Sequence, residues 1–160
     1  MKNKNWKKYI WIFLLIILII IIDQIIKQFV YLNNSDINLI NNILKFKYVE
    51  NSGIAFGISS NLLGVIISDI IVLGILLRYM IVQFEQMNKI TKFSISIILA
   101  GGFSNLIDRI IRGKVVDYID ISQIISRFPV LNLADICIVV GFVIFVIIVG
   151  YNIFKVKKVE

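Results

Sequence analysis

The sequence contains no histidine and only one cysteine, Cys137, among 160 residues. Without imidazole there is no Ser-His-Asp triad and no histidine-built zinc site, and one cysteine in an apolar run excludes an internal disulfide. No cofactor is expected. Proline is equally scarce: Pro129 stands alone, and no Pro/Ser-rich linker or internal repeat divides the chain. A single domain is therefore expected over residues 1–160. Negative charge is thin, with 10 Asp and Glu against 17 Lys and Arg. The resulting +7 does not point to nucleic acid, because the lysines gather at the termini and in short loops without a basic face or a recognition motif.

What is abundant is apolar surface. Hydrophobic residues make up 59% of the chain and the mean hydropathy is +0.91, far outside the range of a soluble domain. The pattern predicts a mainly α membrane protein with four transmembrane helices, at about 9–32, 62–84, 93–111 and 131–154. Each is long enough, at about 1.5 Å per residue, to cross a hydrocarbon core of about 30 Å. The uncharged run Tyr9 to Ile22 could pass for a signal peptide, but no small-x-small cleavage site follows it and the helical pattern resumes beyond Asp23. The first segment is expected to be a retained span.

Lysines before the first span, Lys89 and Lys92 in the second connection, and Lys155, Lys157 and Lys158 after the last span predict two cytoplasmic termini. Lys45, Lys47, Arg112, Lys114 and Arg127 on the opposing loops moderate that bias. The connections 33–61 and 112–130 then fall on the outer face. In the first, Leu44, Phe46 and Tyr48 alternate with Lys45 and Lys47, a period of two that predicts a small extracytoplasmic β element. It runs into Asn51-Ser52-Gly53-Ile54-Ala55-Phe56-Gly57, whose glycines permit a tight turn. Trp6, Tyr9 and Trp11 read as an interfacial aromatic belt, Gly101-Gly102 as a site of close helix packing or of room for a substrate, and Arg78 as a snorkelling side chain.

Against this background the polar residues of the last third stand out. A carboxylate in hydrocarbon costs roughly 2.5–3.5 kcal/mol even on lenient insertion scales, so several of them call for a function. Helical spacing puts Asp23 with Lys27, Asn105 with Asp108 and Arg109, and Asn132 with Asp135 on shared faces, which should point into the bundle. For any one stripe a hydrogen-bonded interhelical clamp is a fair alternative, and Asp108 is expected to be such a clamp, held ionised by adjacent Arg109. Two carboxylates brought together at the dry edge of a membrane share one proton, so one serves as base and the other as acid toward a peptide carbonyl. Asp23, Asp69, Asp108, Asp117, Asp120 and Asp135 are all candidates on physical grounds, with Asp69 expected to be a polar contact near the outer end of its helix. The alternatives are a small transporter or proton-relay subunit, a non-enzymatic assembly or lipid-binding protein, and a Ser-Lys protease using one of several unremarkable serines.

Five motifs in order narrow the choice: Asp23-Gln24-x-x-Lys27, Asn51-x-Gly53-x-Ala55-Phe56, Asn105-x-x-Asp108-Arg109, Gly113-x-Val115-Val116-Asp117-Tyr118 and Phe128-Pro129-Val130-x-Asn132-x-Ala134-Asp135. Together they resemble the lipoprotein signal peptidase family of bacterial inner membranes. The resemblance implies an aspartic endopeptidase that cleaves prolipoproteins just before a cysteine carrying a diacylglyceryl group. Asp117 and Asp135 would be its catalytic pair, and Asp23, Lys27, Asn51, Gly53, Asn105, Asp108, Arg109, Asn132 and Ala134 its supporting residues. It also implies lipid-modified prolipoproteins and membrane lipids as partners, no nucleic acid, a monomer, and a site at the outer leaflet interface of the plasma membrane. Two departures are Ser104, where glycine is common before the motif asparagine, and Leu131, where phenylalanine is common before Asn132.

Overall fold

A computed structural model describes residues 7–33, 36–40, 43–54, 58–59 and 61–157. Ala55 and Phe56 of the second motif, Gly57 of the expected turn and Trp6 of the expected belt lie outside these residues. Four long helices carry the chain: α1 (Lys7–Asn33), α2 (Leu62–Gln83), α3 (Lys89–Arg112) and α4 (Leu133–Lys157). All four are long and apolar enough to cross a membrane. Between α1 and α2 lie β1 (Ile37–Ile40), β2 (Leu44–Asn51), β3 (Gly53–Ile54) and β4 (Ile58–Ser59), and between α3 and α4 lies β5 (Val115–Asp120). The fold class is as expected, mainly helical with a small β element, but the connection 112–130 also supplies a strand.

The helix ends follow local chemistry. Asn61 and Asn88 cap α2 and α3, each side-chain oxygen accepting a backbone N–H, from Leu63 at 3.1 Å and from Thr91 at 2.8 Å. Gly113 stops α3 in the left-handed region, φ 73°, and its N–H returns to the Arg109 carbonyl at 3.1 Å. That turn sends the chain straight into β5.

Helix α3 is the hub. Its mean hydropathy is 1.5, against 2.4 to 2.9 for the other three, because it is enclosed by protein while they leave most of their apolar faces outward. Small residues let the neighbours close in. A Cβ on Gly101 would lie 2.3 Å from the Ala134 carbonyl oxygen, one on Gly141 would lie 2.7 Å from the Ser94 carbonyl oxygen, and one on Gly102 would meet Leu73 at 2.5 Å. The glycine pair therefore packs α3 against α4 and α2, the first of the two roles its sequence allows. From the α2–α3 connection up through the middle of the bundle, Ile12, Leu73, Met80, Phe84, Met87, Ile95, Leu99 and Leu106 form the apolar core. Tyr9 stacks on Phe84 with ring centroids 4.3 Å apart, while Trp11 is exposed.

At the other end, β1, β2 and β5 form an antiparallel sheet in that order, and β3 pairs with β4. In the β2–β5 ladder Val49 faces Asp117 and Asn51 faces Val115, with a register shift between Phe46 and Val49. Beyond β5 the chain returns: Leu131 and Ile119 exchange backbone bonds of 2.6 and 3.0 Å, and the Tyr118 N–H also reaches the Leu131 carbonyl at 2.8 Å. This bridge lays the start of α4 against β5. Val115, Val116, Asp117 and Tyr118 are all buried, so β5 shows no alternation by which sequence could betray it.

Candidate active site

Asn132 is the hinge of the polar site. It precedes α4, and its side-chain oxygen accepts the Asp135 N–H at 2.8 Å while the Asp135 carboxylate accepts the Asn132 backbone N–H at 3.2 Å. These reciprocal bonds form a capping box with Asp135 at the third helical position. The side-chain nitrogen of Asn132 then donates to Asp117 Oδ1 at 2.7 Å. One side chain thus binds both aspartates, which stand far apart in sequence and on different elements.

The remaining oxygens are also occupied. Asn51 donates to Asp117 Oδ2 at 3.0 Å from the end of β2, and Asn105 donates to Asp135 Oδ1 at 2.8 Å from α3. Asp117 is 3% exposed. Burial, and next the negative charge of Asp135, push its carboxyl up to about 6, against the opposing pull of the Asn51 and Asn132 donors and Lys27. A carboxyl so placed holds its proton into the mildly acidic range, as an acid–base group requires.

Beneath this pair lies a buried ionic cluster. Lys27 spends three donors on Asp23 at 2.7 Å, Asp108 at 2.8 Å and the Asn105 side-chain oxygen at 2.9 Å, with all three ionic groups fully buried. Asp23 further accepts from Ser104 Oγ at 2.7 Å, Tyr118 OH at 3.0 Å and the Ala134 N–H at 3.4 Å, which ties α1 to α3, β5 and α4. Burial and the Asp23 charge raise the Tyr118 hydroxyl above its ordinary range and keep it a donor. Asp108 accepts from Gln24 at 3.1 Å and the Val116 N–H at 3.3 Å, and pairs with Arg112.

These contacts correct one expectation. Asp108 is a clamp, but its cations are Lys27 and Arg112, whereas Arg109 pairs with Asp69 at 3.1 Å. Adjacent helical residues diverge by about 100° around the axis, so Arg109 faces α2 while Asp108 faces α1. Asp69 is accordingly a polar contact toward the β-bearing end of α2. Asp120 ends β5 in a local turn, accepting the Ser122 N–H at 2.8 Å, and stands apart from the pair. Gly53 opens the β3–β4 pair beside Asn51. Gln24, Ser104, Arg112 and Tyr118 are network residues beyond those singled out from sequence. Gln24 and Tyr118 stood inside the motifs, and Ser104 was the noted departure.

The fold and site together define a multi-pass membrane protein with a carboxylate centre at one end of its helical bundle. The Signal peptidase (SPase) II family matches residues 15–151. The lipoprotein signal peptidase of Caldicellulosiruptor bescii is 38% identical over 86% of this chain and 92% of its own length, and that of Staphylococcus haemolyticus is 36% identical over 89% and 92%. Two solved bacterial membrane enzyme structures superpose with TM-scores of 0.81 and 0.78 at 29% and 30% identity, covering 88% and 86% of this chain and 88% and 91% of theirs. The chain belongs to the signal peptidase II family and is a membrane-embedded protease.

Proposed function

We propose that this protease removes signal peptides from lipid-modified prolipoproteins, cutting just before the diacylglyceryl cysteine, with Asp117 and Asp135 as its catalytic pair. The observation that carries the reading is the Asn132 bridge, whose side chain donates to the Asp117 carboxylate and whose backbone N–H donates to the Asp135 carboxylate, in a chain whose relatives are lipoprotein signal peptidases. Buried carboxylates coupled in this way hold one proton between them. The ionised member takes a proton from water, the water oxygen bonds to the scissile carbonyl carbon, and the protonated member delivers its proton to the carbonyl oxygen. The gem-diol then collapses: the C–N bond breaks as the nitrogen receives the proton taken from water, and a hydroxyl proton returns to the other aspartate. No covalent intermediate forms.

Asn51, Asn105 and Asn132 hold the pair by their side-chain donors, and Asp23, Lys27, Asp108, Arg109, Gly53 and Ala134 support the surrounding elements. The gathering of Asp23, Asp108, Asp117 and Asp135 into one network favours hydrolysis over ion relay, which needs ionisable groups spread through the membrane depth. Both termini lie in the cytoplasm, the site lies at the outer leaflet interface, and a monomer suffices. There the acyl chains of the substrate position its scissile bond.

The test uses purified protein and a diacylglyceryl-modified prolipoprotein. Wild type cleaves it, while folded Asp117→Asn and Asp135→Asn each lose activity by roughly a thousandfold. A folded variant that cleaves at the wild-type rate overturns the pair. Equal turnover of an unlipidated precursor removes the positioning role of the lipid.

A further inference from the structure

Resting on the reading of Asp117 and Asp135 as a hydrolytic pair, we propose that the proton they share at rest sits on Asp117, and that Lys27, acting through the Asn105 side chain, keeps Asp135 the ionised base.

The direction in which each amide points carries the argument. An amide offers a donor at one end and an acceptor at the other. The acceptor end of Asn105 faces the Lys27 ammonium at 2.9 Å and the Asn132 nitrogen at 3.3 Å. Both are donors, and the ammonium has no acceptor to offer, so a turned Asn105 would set an NH2 against a buried cation. Asn105 must therefore present its NH2 to Asp135 Oδ1. The other oxygen of Asp135 receives the Asn132 backbone N–H, a group that only donates. Both oxygens of Asp135 thus meet donors locked in place, an environment made for a carboxylate.

Position on the helix adds a second, independent bias. Asp135 sits at the third residue of α4, within the first turn, where the aligned peptide dipoles favour negative charge. Asp117 sits on a strand, and its two donors among the described residues are the side chains of Asn132 and Asn51, with no backbone N–H to match that of Asp135. The charged and titratable groups around Asp135 are Asp23 and Lys27 on α1 and Asp117 and Tyr118 on β5, with α3 contributing the neutral Asn105. Burial and the Asp135 charge raise the Asp117 carboxyl, in the same sense as the geometry.

The catalytic cycle then has a fixed direction. Asp135 takes the proton from water as its oxygen bonds to carbon, and Asp117 gives its proton to the carbonyl oxygen. On collapse the Asp135 proton goes to the departing nitrogen and a gem-diol hydroxyl proton returns to Asp117. Lys27 touches no reacting atom in this scheme; it is a positioning residue.

The pH dependence of kcat/KM on a lipidated prolipoprotein separates the two assignments. The acid limb reports the carboxyl that ionises first and the alkaline limb the one that keeps the remaining proton. Asn105→Ala removes a donor from Asp135 and is expected to move the acid limb toward alkaline pH by about one unit while leaving the alkaline limb in place. Asn51→Ala removes a donor from Asp117 and is expected to move the alkaline limb alone, in the same direction. Lys27→Met should move the acid limb in the same direction as Asn105→Ala and the alkaline limb by less, because the Lys27 charge also bears on Asp117; if that variant fails to fold, Asn105→Ala carries the test. The reverse pattern, equal movement of both limbs, or no movement in either variant overturns the assignment. A folded Lys27→Met with wild-type limbs removes Lys27 from it. Wild-type turnover by Asp117→Asn or Asp135→Asn would instead sink the underlying reading of the pair.

Discussion

Two ion pairs at the same end of the molecule behave as opposites. Lys27 with Asp23 and Asp108 is wholly buried, and every donor of the ammonium has a partner within 2.9 Å. Lys114 with Glu50 lies across the β2–β5 rim, with side chains 47% and 43% exposed. The rim pair lowers the Glu50 carboxyl below its ordinary range through a hydrogen bond, yet water would serve either partner nearly as well. The buried group has no such recourse: removing one partner strands the others in a low dielectric. The difference teaches that the ionic contacts important here are the ones that leave no room for water, and these are the ones supporting the candidate catalytic pair.

Lys27→Met should break the comparison most visibly, lowering stability by about 3–5 kcal/mol because two carboxylates lose their shared cation. Chemical or thermal unfolding in detergent reads this out; a loss below about 1 kcal/mol would place the cluster in the same category as the rim. The next effect is a pH dependence. The carboxyl of Asp117 is raised from 3.8 to about 6 in the folded chain, so its contribution to stability is full below 3.8 and is lost as pH rises through 6. The shift corresponds to about 3 kcal/mol at about 1.4 kcal/mol per unit. Asp117→Asn should therefore flatten the stability profile between pH 4 and 7, and a variant profile as steep as the wild type would count against the buried, proton-holding state of Asp117.

Ser104→Ala sharpens the comparison within the cluster by removing a hydroxyl donor from a buried carboxylate at 2.7 Å, with an expected loss of about 2 kcal/mol. Unchanged unfolding would mean that the remaining donors to Asp23 satisfy it fully. Lys114→Ala, the smallest change, should leave the melting temperature within experimental error of wild type, and a clear drop would show that the rim pair is less hydrated than its exposure implies.

Much of this was legible along the chain. The long apolar runs gave four spans near their observed limits, the alternation from Leu44 to Tyr48 gave β2, and the i,i+4 spacing of Asp23 and Lys27 gave the core of the ionic cluster. The Asn132-x-x-Asp135 spacing placed both residues on one face but did not by itself reveal the capping box. Strand β5 was silent because its buried positions run consecutively. Pairing Asp108 with Arg109 failed because adjacency in sequence is divergence on a helix, and Arg112, one turn on, faces the carboxylate instead.

Composition and periodicity alone determined that this protein crosses a membrane four times and that its carboxylates must turn inward, since the transfer cost of charge into hydrocarbon depends on residue type and helical phase. The family resemblance that the motifs carry is what implied Asp117 and Asp135 among the six candidate aspartates. Only the tertiary structure decided that Asn132 reaches both, that Lys27 orients Asn105, and that Arg109 turns away toward Asp69. Those choices depend on how the Leu131 bridge lays α4 against β5 and how the glycines let α3 approach its neighbours, distances set by packing between elements remote in sequence.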